Sequence, residues 1–144
     1  MERLRELLRF DGRLSRLGFW RGYLLLGVLG AIALVVGLLA IMGFGSWGAV
    51  FLAPLLPLVI ASIAIIVRRL HDRGKSALWL LPFVIGPFLV GLWLNTEGNG
   101  QAGGPMLLVA LTSLILNIWG LVEIGFLGGT RGVNRFGEAP AAGR

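Results

Sequence analysis

The sequence predicts an all-α membrane protein, a bundle of four transmembrane helices with both termini in the cytoplasm. The first reason is composition: 56% of the 144 residues are apolar and 14% are charged, where a soluble domain carries about 25% charged residues. The second is arrangement. Apolar runs recur near 23–42, 50–67, 77–94 and 106–127, and a helix needs about 20 such residues to cross the hydrocarbon. The third is where the thirteen basic residues fall. Six Arg precede the first run, Arg68, Arg69, Arg73 and Lys75 separate the second from the third, and Arg131, Arg135 and Arg144 follow the fourth. The two remaining loops carry none, so the positive-inside rule puts both termini and the central loop in the cytoplasm. One integral membrane domain then covers residues 1–144, with cytoplasmic segments 1–22, 68–76 and 128–144. The net charge of +6 follows from this topology, and nucleic acid is not expected as a partner because no soluble recognition element is present.

Residues 1–9 carry Leu4, Leu7 and Leu8 at helical spacing among Arg and Glu, which suits a short helix lying in the membrane interface. Glu2, Glu6 and Asp11 ahead of the first apolar run argue against a cleaved signal peptide. Trp20 and Tyr23 mark the interface at the entry to the first span, along which Gly30, Ala33, Gly37 and Ala40 form a small-residue face for close helix packing. Pro54 and Pro57 are expected to bend the first half of the second span. Pro57, Ala61 and Ala64 share a face that continues to Arg68 and Asp72, predicting an i, i+4 ion pair at the cytoplasmic end. The third run, broken by Pro82, Gly86 and Pro87, has the length for one kinked span rather than a re-entrant hairpin. Residues 95–104 read as a loop. In the fourth span Thr112, Ser113, Asn117, Gly120 and Glu123 share an arc expected to face the other helices, with Arg68 as the expected partner of Glu123. The glycine-rich segment from Gly128 to Pro140 reads as turns.

The chemistry is concentrated between Arg68 and Ser76, which holds the only His and the only Lys of the chain. A hydrolase would take His71 as base, Asp72 as its partner and Ser76 as nucleophile. Adjacent side chains on a helix diverge, so Asp72 does not orient His71, and no catalytic residue is assigned. With no Cys and one His, no metal site is expected; His71, Asp72 and Glu123 are too few. The tail glycines lack the Gly-Lys-Ser/Thr of a phosphate loop, and no cofactor is expected.

Three segments carry a family resemblance: Phe10 Asp11 Gly12 Arg13 with Ser15 Arg16 and Phe19 Trp20; Arg68 Arg69 Leu70 His71 Asp72 with Lys75 Ser76 and Trp79; and Gly129 with Gly132, Asn134 Arg135 Phe136 Gly137 and Pro140. Together they resemble the bacterial inner-membrane family named domain of unknown function 805, the YhaH-like proteins. The resemblance implies a small multi-pass protein of the bacterial inner membrane and brings no established reaction with it. This chain departs from the family at Ser76 Ala77 Leu78 Trp79, where Ser-Gly-Trp-Trp is usual, and at Gly128, where Pro is frequent.

Two functional readings follow. In one, Arg13, Arg16, Arg68, Arg69, His71, Asp72, Arg73, Lys75, Ser76, Asn134 and Arg135 meet on the cytoplasmic side and bind an anionic lipid headgroup or an acidic membrane-protein partner, for which Arg is better suited than Lys. In the other, the chain is a transporter or channel subunit that forms homo-oligomers and uses the intramembrane Asn117 and Glu123. The binding reading requires the three polar segments to lie on one side.

Overall fold

The computed structural model describes residues 8–97 and 104–140. The expected interfacial helix of residues 1–9 lies almost wholly outside the described residues, as does most of the loop at 95–104.

Among the described residues every regular element is helical. Helix α1 runs Arg16–Phe44 and is capped by Ser15, whose Oγ accepts from the Gly18 N–H at 3.1 Å. This satisfies one of the donors a helix N-terminus leaves open. The helix ends where Gly45 takes φ +62°, a conformation that costs glycine little. From there the 3-10 helix Gly45–Leu52 turns back along the end of α1. A Cβ on Gly48 would overlap the Ala40 carbonyl, and one on Gly37 would overlap the Leu52 side chain. Gly37 and Ala40 of the expected small-residue face are therefore buried against the returning chain.

Helix α2 spans Leu55–Asp72. Of the prolines expected to bend this span, Pro54 precedes the helix and Pro57 lies in its first turn, where the missing N–H has no intrahelical partner to lose. The helix closes with Gly74 at φ +71°, while Lys75 N–H reaches Leu70 O and Gly74 N–H reaches His71 O, both at 2.9 Å. These two bonds are a Schellman cap.

The third apolar run is a single helical passage made of a 3-10 turn at Ala77–Trp79, a π-helical turn at Leu81–Ile85 and helix α3, Gly86–Glu97. The wide turn lies where Pro82 and Pro87 interrupt the backbone ladder. Helix α4, Gly104–Leu121, returns beside α3 and also ends in a π-helical turn, Val122–Phe126. Phe83 packs on Trp119 with ring centroids 5.2 Å apart, and a Cβ on Gly120 would come within 2.9 Å of Phe83.

The chain thus makes two outward and return passages, α1 with α2 and α3 with α4. The buried core, with Phe19, Leu26, Ile65, Leu70, Phe83 and Ile124, joins the two hairpins at one end. Most of the remaining helix surface is exposed Leu, Ile, Val and Phe, far more than a soluble protein presents.

Among the described residues three helical segments, not the expected four, are long and apolar enough to cross a membrane: Arg16–Leu52, Ala77–Leu94 and Met106–Phe126. The expected second span over 50–67 is the one corrected. Its α-helix starts only at Leu55 and continues into Arg68, Arg69 and Asp72, so the apolar part of α2 is too short for a crossing by itself.

Candidate functional site

The three polar segments meet at one end of the hairpins, around Asp72. Its carboxylate is buried, with 3% of the residue exposed, between Arg13 at 7% and Arg69 at 0%. Arg13 donates from Nε and Nη2 to Oδ1 at 3.1 and 3.0 Å, while Arg69 Nη1 donates to Oδ2. Two guanidinium groups on one carboxylate leave a surplus positive charge, and buried charge is tolerated only where further partners satisfy it.

Those partners are backbone carbonyls from the last part of the chain. Arg69 donates to Ile124 O at 2.8 Å and to Leu127 O. The Trp20 indole reaches Gly125 O at 2.9 Å, Arg16 reaches Phe126 O at 3.2 Å, and Arg73 reaches Gly128 O. Five consecutive carbonyls, Ile124 to Gly128, are thus held by side chains of other elements. Arg13 adds Thr130 O, Gly132 O at 2.6 Å and Gly137 O at 3.2 Å. A helix C-terminus exposes its last carbonyls and the negative end of its dipole, and both favour cations there.

The tail closes over this knot. Thr130 donates its N–H and its hydroxyl to Asp72 O at 2.8 and 3.0 Å, and Gly129 lies so close to the Asp72 carboxylate that a Cβ would overlap it. Asn134 donates to His71 O at 3.0 Å and to Thr130 Oγ1 at 2.8 Å, and its Oδ1 receives the Phe136 N–H at 2.8 Å. The Phe136 ring stacks on His71, 3.9 Å between centroids and 5° from parallel, with the Arg135 guanidinium 4.7 Å over it. Arg135 also donates to Gly74 O at 3.0 Å.

His71 holds its Nδ1 3.2 Å from Gly12 O. A carbonyl only accepts, so Nδ1 carries the hydrogen. Burial pushes the imidazole below its usual 6.5, a push that the Gly12 carbonyl and Asp11 oppose and Arg135 reinforces. On the outer rim, Arg9 holds the Asp11 carboxylate down at about 2.

Of the residues expected to act together, Arg13, Arg69, His71, Asp72 and Asn134 do meet, and Arg16, Arg73, Lys75 and Arg135 surround them. The expected ion pair of Arg68 with Asp72 is corrected: Asp72 pairs with Arg69, three residues before it, and with Arg13. Arg68 is half-buried, and its carbonyl takes the Leu14 N–H at 3.1 Å. Glu123 is buried as its arc required, but its partners are Arg73 at 3.0 Å and Lys75 at 3.8 Å rather than Arg68. Lys75 also lies 3.8 Å over the Trp79 ring. Thr112 and Asn117 are exposed, Asn117 donating to Ser113 O of its own helix at 3.0 Å. Ser76 contributes its carbonyl to the Trp79 N–H at 3.2 Å.

Sequence reasoning missed Thr130 and the carbonyl run. Thr130 stands four residues before Asn134, a spacing that could have linked them; backbone acceptors leave no mark in residue identity. Beside the knot, a polar recess of about 200 Å³ is lined by Arg13, Ser15, Arg16, Asp72 and Thr130. No group of three or more metal-ligating side chains occurs among the described residues.

Comparison with known proteins agrees with the motif resemblance. The chain is 30% identical over 136 residues to the uncharacterized protein YiiR of Escherichia coli strain K12, covering 92% of this chain and 86% of that protein. It is 31% identical over 108 residues to the inner membrane protein YhaI of the same strain, covering 69% of this chain and 87% of that protein. No solved structure matches. The family model of the proteins of unknown function DUF805 matches residues 7–138, a range that takes in Arg13, Asp72 and the tail that closes on them. The chain belongs to the DUF805 family.

Proposed function

We propose that this is a multi-pass protein of the bacterial inner membrane whose basic cytoplasmic face binds anionic phospholipid headgroups. In this reading the apolar helices cross the membrane more than once, and the knot lies at the cytoplasmic boundary. Support for that topology comes from the double return of the chain, from the collection of basic segments at one end and from the inner-membrane relative.

The observation that carries the binding reading is a division among the cationic side chains. Arg13 and Arg69 are buried and committed to Asp72 and to carbonyls, whereas Arg16 and Arg135 stay exposed around them. The inner pair holds the fold, Arg73 and Lys75 are taken up by Glu123, and the exposed Arg16 and Arg135 meet phosphate. Each basic residue at a membrane surface contributes about 1 kcal/mol toward anionic lipid.

The test is lipid binding by purified protein in detergent, comparing phosphatidylglycerol with phosphatidylcholine. The Arg16→Gln, Arg135→Gln variant is expected to lose on the order of thirtyfold in affinity for phosphatidylglycerol. Equal binding by the variant and the wild type rejects the reading.

A further inference from the structure

Between the two hairpins, next to the knot, lies a cleft of about 400 Å³, within the roughly 300–1,000 Å³ of small-molecule sites. Phe19, Trp20 and Tyr23 of α1 line one wall, and Phe83 and Phe88 line the other. Tyr23, Phe88 and Leu121 are exposed where the cleft opens. Of its polar members, the Trp20 indole is engaged with Gly125 O and the Asn117 amide N–H with Ser113 O, and the Tyr23 hydroxyl stands at the exposed mouth. The lining therefore offers hydrocarbon contact and little that would select a polar molecule.

One helical turn before Trp20, about 6 Å along α1, stands the exposed Arg16, its Nη1 on the carbonyl of Phe126, the residue after Gly125 of the cleft lining. Along α1 the order is a cation, then indole and phenol rings, then an apolar groove. That is the order of phosphate, ester and chain in a phospholipid at a membrane boundary.

We infer that the cleft seats one acyl chain of an anionic phospholipid whose phosphate is held by Arg16. The inference rests on the headgroup reading above and adds where the chain goes.

Native mass spectrometry of the full chain in detergent tests it with three probes: dioleoyl phosphatidylglycerol, dioleoyl phosphatidylcholine and dihexanoyl phosphatidylglycerol. The wild type is expected to hold the first about tenfold more tightly than either of the others. Leu121→Trp and, separately, Asn117→Trp fill the cleft from its open side and should bring dioleoyl phosphatidylglycerol down to the level of its short-chain analogue. Arg16→Gln should bring it down to the level of phosphatidylcholine. If both plugged variants fold, as thermal unfolding reports, and bind as the wild type does, the chain is not in the cleft and the inference fails while the headgroup reading stands. Equal affinity of the wild type for long- and short-chain phosphatidylglycerol removes the acyl chain from the cleft in the same way, without any variant. Equal affinity for phosphatidylglycerol and phosphatidylcholine overturns both.

Discussion

Arg13 and Asp72 stand 59 residues apart in the chain, yet Nε and Nη2 of Arg13 both donate to Oδ1 of Asp72, at 3.1 and 3.0 Å. Arg69 takes the other oxygen. One carboxylate therefore joins the segment ahead of α1 to the end of α2, and through Arg13 to the tail.

Removing that charge exposes its value. Asp72→Asn leaves two buried guanidinium groups without a counter-charge, and breaking a buried pair in this way costs about 3–5 kcal/mol. Chemical unfolding in micelles should register the loss. The exposed pair of Arg9 and Asp11 is the control, since Asp11→Asn should leave the unfolding midpoint unchanged.

Gly129 and Gly128 are neighbours with opposite tolerance. A Cβ at Gly129 would overlap the Asp72 carboxylate, while one at Gly128 meets nothing within 4 Å. Gly129→Ala should cost about 1–3 kcal/mol through overpacking and raise hydrogen exchange across Thr130 and Asn134. Gly128→Ala should do neither.

His71 predicts a pH dependence of stability. Its folded pKa lies below the usual 6.5, so the unfolded state takes up the proton first as the pH falls. Stability from this residue is whole above pH 6.5, declines as the pH drops below it, and is fully lost once the folded pKa is passed. Thermal unfolding between about pH 7.5 and 5 should show this slope, and His71→Gln should remove it; an unchanged slope rejects the assignment. Asp11, held at about 2 by Arg9, titrates outside that window.

The helical class and the meeting of three polar segments were legible in the sequence, because apolar runs and charge placement are properties of residue identity. Which arginine is buried was not. The i, i+4 spacing favours Arg68 for Asp72, but at the end of α2 the choice belongs to Ile124 and Leu127, whose carbonyls receive Arg69. Glu123 was legible as inward-facing, yet its partners lie beyond the end of α2, where the Schellman cap turns Arg73 and Lys75 toward it. The reversal at Gly45, with φ +62°, falls in the uncharged stretch Gly43–Gly48 between the first two apolar runs, where the sequence places a turn.

The carbonyls that hold Arg13, Trp20 and Arg69 come from the last quarter of the chain, at separations of up to 124 residues. A ribosome adds about 5–20 residues per second, so the first hairpin waits several seconds after Asp72 is made before its acceptors exist. During that interval Arg13 has Asp72 alone and Arg69 has Asp72 and the Leu14 carbonyl, and contacts this distant form slowly. The tail is therefore the keystone of assembly: the first hairpin to be synthesised is the last to be completed, and a chain halted before Ile124 carries its arginines unsheltered.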